Sequence, residues 1–297
     1  MTDIIIIGGG PAGLSTAIYA KRAGLSVQII DKGAIECQLA QATEVENYLG
    51  FPSINGLDLH TQFVNHAKAQ EIPIIKKAVA SVEKTNDGFK VYTKKDEYEC
   101  KYLVLAMGRS HKHLNVEGEE KLIGAGVSYC ATCDGFFFRN KTVCVVGGGD
   151  SALSQAIYLS GLCQKVYVIH RRDTFRASKY LVTRASEISN IEFKYNATVS
   201  KILGDTMVTG IEINVDGSNS IIECDGVFGA IGEKPNMSFT IEGLSTTKSG
   251  QIITDNYCKT SVANLYAVGD IREKEVYQIV TAVADGAIAI ESILKTI

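Results

Sequence analysis

The sequence predicts an α/β protein of two similar units, the second inserted in the first, and three observations carry that reading. A glycine-rich turn between an apolar strand and an amphipathic helix occurs twice, in residues 4–31 and 143–170, at an offset of 139. Each copy continues into a second strand, Val27 to Ile30 and Val166 to Ile169. Near the C-terminus, Asn264 to Asp270 has the strand character needed to complete the first unit. Continuous apolar strands around a helix mark a parallel sheet buried on both faces, and a βαβ repeat with a glycine turn is the Rossmann-like, dinucleotide-binding unit.

The first turn is Gly8-Gly9-Gly10-Pro11-Ala12-Gly13, after Asp3 and four isoleucines. Gly8 makes the tight turn, Gly10 lets the backbone approach a pyrophosphate, and Gly13 lets the helix pack close on the strand. The N–H groups at the helix start hold phosphates. Asp31 ends the second strand, where a carboxylate accepts hydrogen bonds from ribose hydroxyls. In the second turn, Gly147-Gly148-Gly149, the third glycine is Ala152 and the place of Asp31 is taken by His170, followed by Arg171, Arg172 and Arg176. A carboxylate repels a 2′-phosphate, whereas guanidinium groups bind it with charge-assisted hydrogen bonds. The first site therefore suits FAD and the second NADP(H); the other reading of the arginines is a solvated basic turn.

Tyr102 to Gly108 and Asp225 to Gly232 are equivalent apolar strands ending in glycine. The C-terminal strand ends in Gly269-Asp270 and precedes a small-residue helix over about Thr281 to Leu294. An Asp there bonds the ribityl chain of a flavin, and the helix start faces its pyrimidine ring. The expected domains are residues 1–113 with 241–297 for FAD and residues 114–240 for NADP(H). The crossings between them lie near 112–116 and 236–245, with no Pro- or Ser-rich linker to mark them.

Composition sets the class. The 297 residues are 45% hydrophobic and 21% charged, as in soluble globular proteins, and the net charge of −3 favours neither nucleic acid nor an anionic membrane. A strand begins at once at the N-terminus, without a charged segment and cleavage site, and no apolar run matches a membrane span, so a cytoplasmic protein is expected. Of eight cysteines, Cys144 lies within a strand as a core residue, and Cys100, Cys163, Cys224 and Cys258 have no partner at a telling spacing. Only Cys130 and Cys133, in Cys130-Ala131-Thr132-Cys133-Asp134-Gly135, form a local pair. Structural zinc needs four ligands. His111 and His113, alternating about Lys112, fit an exposed strand end or loop better, and no metal site is expected.

A dithiol between two dinucleotide sites implies that electrons pass from one cofactor, through another, to a disulfide. Gly8 to Gly13, Thr43-Glu44-Val45-Glu46-Asn47-Tyr48, the Cys130–Gly135 run, His170-Arg171-Arg172-Asp173 and Gly269-Asp270 occur in this order. With these motifs the whole chain resembles the low-molecular-weight bacterial thioredoxin reductases. The resemblance implies a homodimer, one FAD per subunit, NADPH as donor, and thioredoxin or a similar small dithiol protein as acceptor. It makes Cys133 the sulfur beside the flavin, Cys130 the one that attacks the partner disulfide, and Asp134 the general acid. A neighbouring carboxylate alone raises a thiol pKa, so Asp134 makes sense as a proton carrier. It also places Pro11, Ala12, Lys32, Gln38, Thr43, Asn47, Gly108, Tyr277 and Gln278 at the cofactors, with Asp150, Ser151 and Ala152 at the second turn.

Four places depart from the family pattern. Glu36-Cys37-Gln38 replaces Gly-Gly-Gln, Ala106-Met107-Gly108 replaces Ala-Thr-Gly, Ser154 and Gln155 stand for two glutamates, and Tyr277 stands for Arg. Cys37 is either a third thiol near the flavin or an inert filler, and Tyr277 either stacks on a cofactor ring or packs on the surface. Because these changes cluster at the flavin and nicotinamide pockets, the reading is that disulfide chemistry is kept and the donor, or its efficiency, is altered. The alternatives are a relative fed by ferredoxin or a second flavin, a dithiol oxidase passing electrons to oxygen, and a non-catalytic redox sensor. His170 and the three arginines argue against the first two, which need no 2′-phosphate clamp.

Overall fold

The computed structural model describes residues 1–33, 37–42 and 44–297. The chain packs as two units, Met1–Ser110 with Lys234–Ile297, and His111–Glu233.

In the first unit, β1 (Thr2–Ile7), β2 (Val27–Asp31), β3 (Ile74–Lys76) and β6 (Glu97–Leu105) run parallel in the order β3-β2-β1-β6. Side chains alternate across a strand. Ile4 and Ile6 therefore enter one core and Ile5 and Ile7 the other, all four buried, which is why this part of β1 is an unbroken apolar run. Helices α1 (Pro11–Arg22) and α8 (Ile279–Leu294) cover the Ile4 face. They approach so closely that a Cβ on Gly286 would sit 2.6 Å from the Thr16 nitrogen. The short α2 (Gln38–Gln41) and the longer α3 (Gly56–Ala69) follow β2, and the Asn55 side chain caps α3 by accepting from the Leu57 N–H.

The sequence expects a strand over Tyr102 to Gly108, but β6 begins at Glu97 and ends at Leu105. Its second half pairs in parallel with β1 and with β17 (Leu265–Ala267). Its first half pairs antiparallel with β5 (Phe89–Thr93), which in turn pairs with β4 (Val79–Lys84). Only the half buried on both faces carries a continuous apolar signal. Helix α8 starts at Ile279 rather than Thr281 because Gln278 and Thr281 form a reciprocal capping box.

The second unit repeats this plan. β9 (Thr142–Gly147) lies between β10 (Lys165–Ile169) and β15 (Gly226–Ala230), as β1 lies between β2 and β6. β11 (Ile191–Lys194) and β8 (Val127–Ser128) extend the parallel sheet on either side. On one face, α6 (Asp150–Ser160) and α7 (Lys179–Ser186) bury Leu153, Ala156 and Ala185 against Val145 and Val168. Over the other lies an antiparallel sheet of β12 (Ala197–Gly204), β13 (Val208–Val215) and β14 (Ser218–Glu223), whose Ile202, Ile211 and Ile213 pack with Cys144 and Val146. Two single-turn helices, α4 (Glu119–Leu122) and α5 (Ala131–Asp134), precede β9.

The chain crosses between units after residues 110 and 233, somewhat before the expected boundaries at 113 and 240. The reason is that the crossing segments, β7 (Arg109–His111) and β16 (Glu233–Pro235), pair with each other as a two-stranded ribbon. Among the described residues no helix is long and apolar enough to cross a membrane.

Candidate active site

The first glycine turn is held by contacts from all sides. Gly8 has φ of +113°, and a Cβ on it would lie 2.4 Å from the Ala106 oxygen. Asp31 accepts from the Gly9 N–H through Oδ1 and from the Gly33 N–H through Oδ2, each at 2.9 Å. His60, buried on α3, reaches the Gly9 carbonyl through Nε2 at 3.0 Å. No sequence signal marks His60, because its partner lies 51 residues away. Gly10 is the N-cap of α1 with no side-chain cap, Pro11 takes the first turn, and no acid stands there. The helix start is therefore open to an anion.

Around this turn the structure gathers residues from distant segments. Gly269, at φ +72°, sits against Ala12, so the Gly269-Asp270 corner lies beside the start of α1. Cys37 approaches Gly10, where a Cβ would meet its sulfur at 3.7 Å. Burial pushes the Cys37 thiol up, with the charges of Asp31 and Asp270 adding to that effect. A filler, not a third nucleophile, is what this environment favours. The neighbouring Gln38 has its Nε2 buried with no hydrogen-bond partner among the described residues. An orphaned donor beside an open helix N-terminus, with the Asp31 carboxylate at the end of β2, fits a flavin dinucleotide. Asn47 donates to Gln278 at 3.2 Å. Lys32 is exposed just beyond β2, and Glu36 and Thr43 lie outside the described residues.

A buried ionic cluster supports the Gly-Asp corner. Asp285 on α8 accepts from the Gly269 N–H at 2.9 Å and pairs with Arg272 at 3.0 Å and Lys274 at 3.2 Å. Lys274 also reaches Asp270 at 3.4 Å. Tyr277 packs within its own unit. Its ring lies under the Arg109 guanidinium at 3.5 Å, and its hydroxyl accepts from Gln251 at 2.7 Å and from the Lys274 N–H at 3.2 Å. Gly108 is left-handed at φ +66°, and its carbonyl accepts from the Asn236 N–H at 3.0 Å. Met107 packs into the sheet's second core.

The second glycine turn is built alike. A Cβ on Gly147 would lie 2.3 Å from the Ala230 oxygen, whereas one on Gly149 would meet nothing within 4 Å. Gly149 caps α6 without a side-chain bond, and Ala152 is buried behind it. The His170 ring lies against Gly148, so close that a Cβ there would be 2.1 Å from it. It also stacks on Phe175, and its Nε2 meets the Thr174 carbonyl at 2.9 Å. Arg176 returns to the turn by donating its N–H to the Gly148 carbonyl at 2.8 Å. Arg171, Arg172, Arg176 and Ser151 are exposed. Asp150 is occupied by the Ser178 N–H at 2.7 Å. An open glycine cradle flanked by exposed guanidinium groups fits a phosphorylated nucleotide.

In the same unit, Cys130 and Cys133 are joined as a disulfide across the single turn of α5. Cys133 is exposed and Cys130 half-buried. Ser128, at the end of β8, accepts from the Cys130 N–H at 3.1 Å and donates to Asp134 Oδ2. From the other side, Gln155 on α6 accepts from the Ala131 N–H at 3.2 Å and donates toward the Tyr129 carbonyl at 3.5 Å. Tyr129 stacks on His111 and donates to the buried Glu119 at 2.8 Å. Gln155 thus serves the dithiol segment, and Ser154 is exposed. Burial raises the Asp134 pKa, while the Ser128 hydrogen bond and the charge of His111 oppose the rise. A carboxyl group whose pKa is raised beside a disulfide is the kind of group that can pass a proton to a thiolate formed there.

The remaining cysteines are poor nucleophiles. Burial pushes the thiols of Cys100 and Cys258 up to about 12 and that of Cys163 up to about 11. Cys144 is raised by burial and by its hydrogen bond with Cys224, a pair the sequence spacing did not reveal. Since only thiolates attack, the exchangeable sulfurs are Cys130 and Cys133.

Two glycine-turn units and an accessible disulfide define a class of oxidoreductase that works on disulfides. Residues 2–286 match the family described as pyridine nucleotide-disulphide oxidoreductase. A thioredoxin reductase of Listeria monocytogenes is 41% identical over 97% of this chain and 91% of its own length. That of Bacillus subtilis is 41% identical over 98% of this chain and 93% of its own. The crystal structure of thioredoxin reductase from Streptococcus pyogenes superposes with a TM-score of 0.94 at 39% identity, covering 100% of this chain and 99% of that one. The chain belongs to the pyridine nucleotide-disulphide oxidoreductases. It is a flavin-dependent disulfide reductase, and the family implies a flavin and a nicotinamide nucleotide as its cofactors.

Proposed function

We propose that this enzyme passes electrons from NADPH through FAD and the Cys130/Cys133 pair to thioredoxin or a similar small dithiol protein, as a homodimer in the cytoplasm. The observation that carries the reading is the basic second turn. Exposed Arg171, Arg172 and Arg176 follow His170, which stands where the first turn has Asp31, in the unit that also holds the disulfide. When bound, FAD reduced by NADPH supplies the electron pair that opens the disulfide.

The chain's own residues do the rest. Gly10, Ala12 and Gly13 bring backbone N–H groups to the FAD pyrophosphate, Gly8 turning the chain toward it and Pro11 starting α1, and Asp31 faces the ribose. Gln38, Asn47, Gly108, Gly269, Asp270 and Gln278 line the flavin side, with Tyr277 holding Arg109 beneath them. Gly147, Gly149, Asp150, Ser151 and Ala152 form the NADPH turn, which the His170 ring shapes from behind, and the arginines hold the 2′-phosphate. Cys133 is the sulfur on the flavin side, and Cys130 attacks the partner disulfide. Asp134 protonates the thiolate left on the flavin-side sulfur. Gln155, Met107 and Tyr277 each have a structural partner within their own unit, which favours an unaltered NADPH donor.

Coenzyme preference tests this reading. Replacing Arg171, Arg172 and Arg176 together by Ala should raise KM for NADPH about 100-fold, the loss of two to three charge-assisted bonds, and leave NADH use unchanged. Equal loss with both coenzymes would contradict it.

A further inference from the structure

We propose that Ser128 is a positioning residue for the disulfide step, holding Oδ2 of Asp134 as an acceptor so that the acid carries its proton on Oδ1. The inference rests on the reading of Asp134 as the acid. It follows from counting hydrogens. The Cys130 N–H can only donate, and it donates to Ser128 Oγ at 3.1 Å. Ser128 is buried, and the other partner of its oxygen among the described residues is Asp134 Oδ2. The hydroxyl hydrogen must therefore go to Oδ2, whether Asp134 is charged or neutral. A proton on Oδ2 would leave a buried hydroxyl donor without an acceptor, which is the costly arrangement.

The chain of bonds thus runs one way, from Cys130 N–H to Ser128 O–H to Asp134 Oδ2. When an electron pair breaks the Cys130–Cys133 bond, two thiolates form. One takes the proton from Asp134 Oδ1, leaving a thiol and a carboxylate, and Ser128 remains hydrogen-bonded to that carboxylate. The same bond keeps the acid able to release its proton despite burial, together with His111, which is itself paired with Glu233 at 2.9 Å.

Infrared spectroscopy of the oxidised holoenzyme reads both consequences. The carbonyl band of protonated Asp134 is identified by its loss in Asp134→Asn. With the proton on Oδ1, the carbonyl is Oδ2 and is bonded to Ser128, so Ser128→Ala should shift the band to higher frequency. The pH midpoint of that band should rise by about one unit, and Ser128→Thr should restore both values. Ser128→Cys, of similar size and with a weak donor, should behave like Ala and serves if Ala does not fold. An unmoved band and midpoint in Ser128→Ala, or in Ser128→Cys, would overturn the proposal. Full disulfide turnover by Asp134→Asn would instead remove the acid reading, while the infrared shift would still report the hydrogen bond.

Discussion

At Asp134, burial and chemistry pull the same way. Burial lifts its pKa above the ordinary 3.8, so between the ordinary and the folded value the folded protein binds more proton there than the unfolded chain does. Unfolding releases that proton, and stability contributed by the group falls as pH rises from the ordinary value through the folded one. Asp134→Asn should therefore raise Tm at pH 7 relative to wild type, with the gap closing at low pH, as melting curves across pH would show. The same substitution should lower disulfide turnover at least about 100-fold, the usual worth of a general acid. Residue-scale chemistry was legible in sequence wherever it is local, as with Asp134 next to Cys133. Gln155 and His60 were not legible, because their roles are hydrogen bonds to backbone brought near only by folding, and Ser128 was not, because its bond to Asp134 depends on the turn of α5 between them. Gln155 looked like a change at the nicotinamide pocket, yet it braces the dithiol.

Elements repeat between the units, but with different tolerances. Gly13 is jammed against its own turn, where a Cβ would lie 2.0 Å from the Gly8 oxygen. Ala152 fills the equivalent place in the second copy and is fully buried. Gly13→Ala should therefore cost several kcal/mol, on the order of 3, and reduce flavin retention, whereas Ala152→Gly should cost about 1 kcal/mol. Urea unfolding of the holoenzymes compares them; equal losses would mean the two turns are packed alike. At the crossing, Tyr277→Arg should destabilise rather than restore anything, since it sets a second guanidinium against Arg109 and removes the bonds to Gln251 and Lys274. A loss of about 1–3 kcal/mol is expected. The βαβ elements were legible because strand and helix periods are written locally. The first half of β6 was not, because it is buried on one face only, and the ribbon of β7 and β16 was not, because two short polar segments acquire strand geometry only by pairing.

Across the whole molecule, each unit has its own parallel sheet and its own cores. The ends of the second unit are held together by the bond from the Lys112 N–H to the Gly232 carbonyl at 2.9 Å. Residues 111–233 produced alone should fold cooperatively and keep a Cys130–Cys133 disulfide that dithiothreitol opens, as thermal melts and thiol counting would reveal. The insertion itself was legible from the offset repeat and the late Gly-Asp strand; only its boundaries depended on the ribbon. The central claim is that an electron pair travels from NADPH through the flavin to the Cys130/Cys133 disulfide, and anaerobic titration of the holoenzyme with NADPH tests it most directly. Wild type should bleach its flavin absorbance only after taking up one more electron pair per subunit than Cys133→Ser, and should gain the two matching thiols. Equal uptake by the two proteins, or a flavin that NADPH leaves oxidised and dithionite bleaches, would contradict the account.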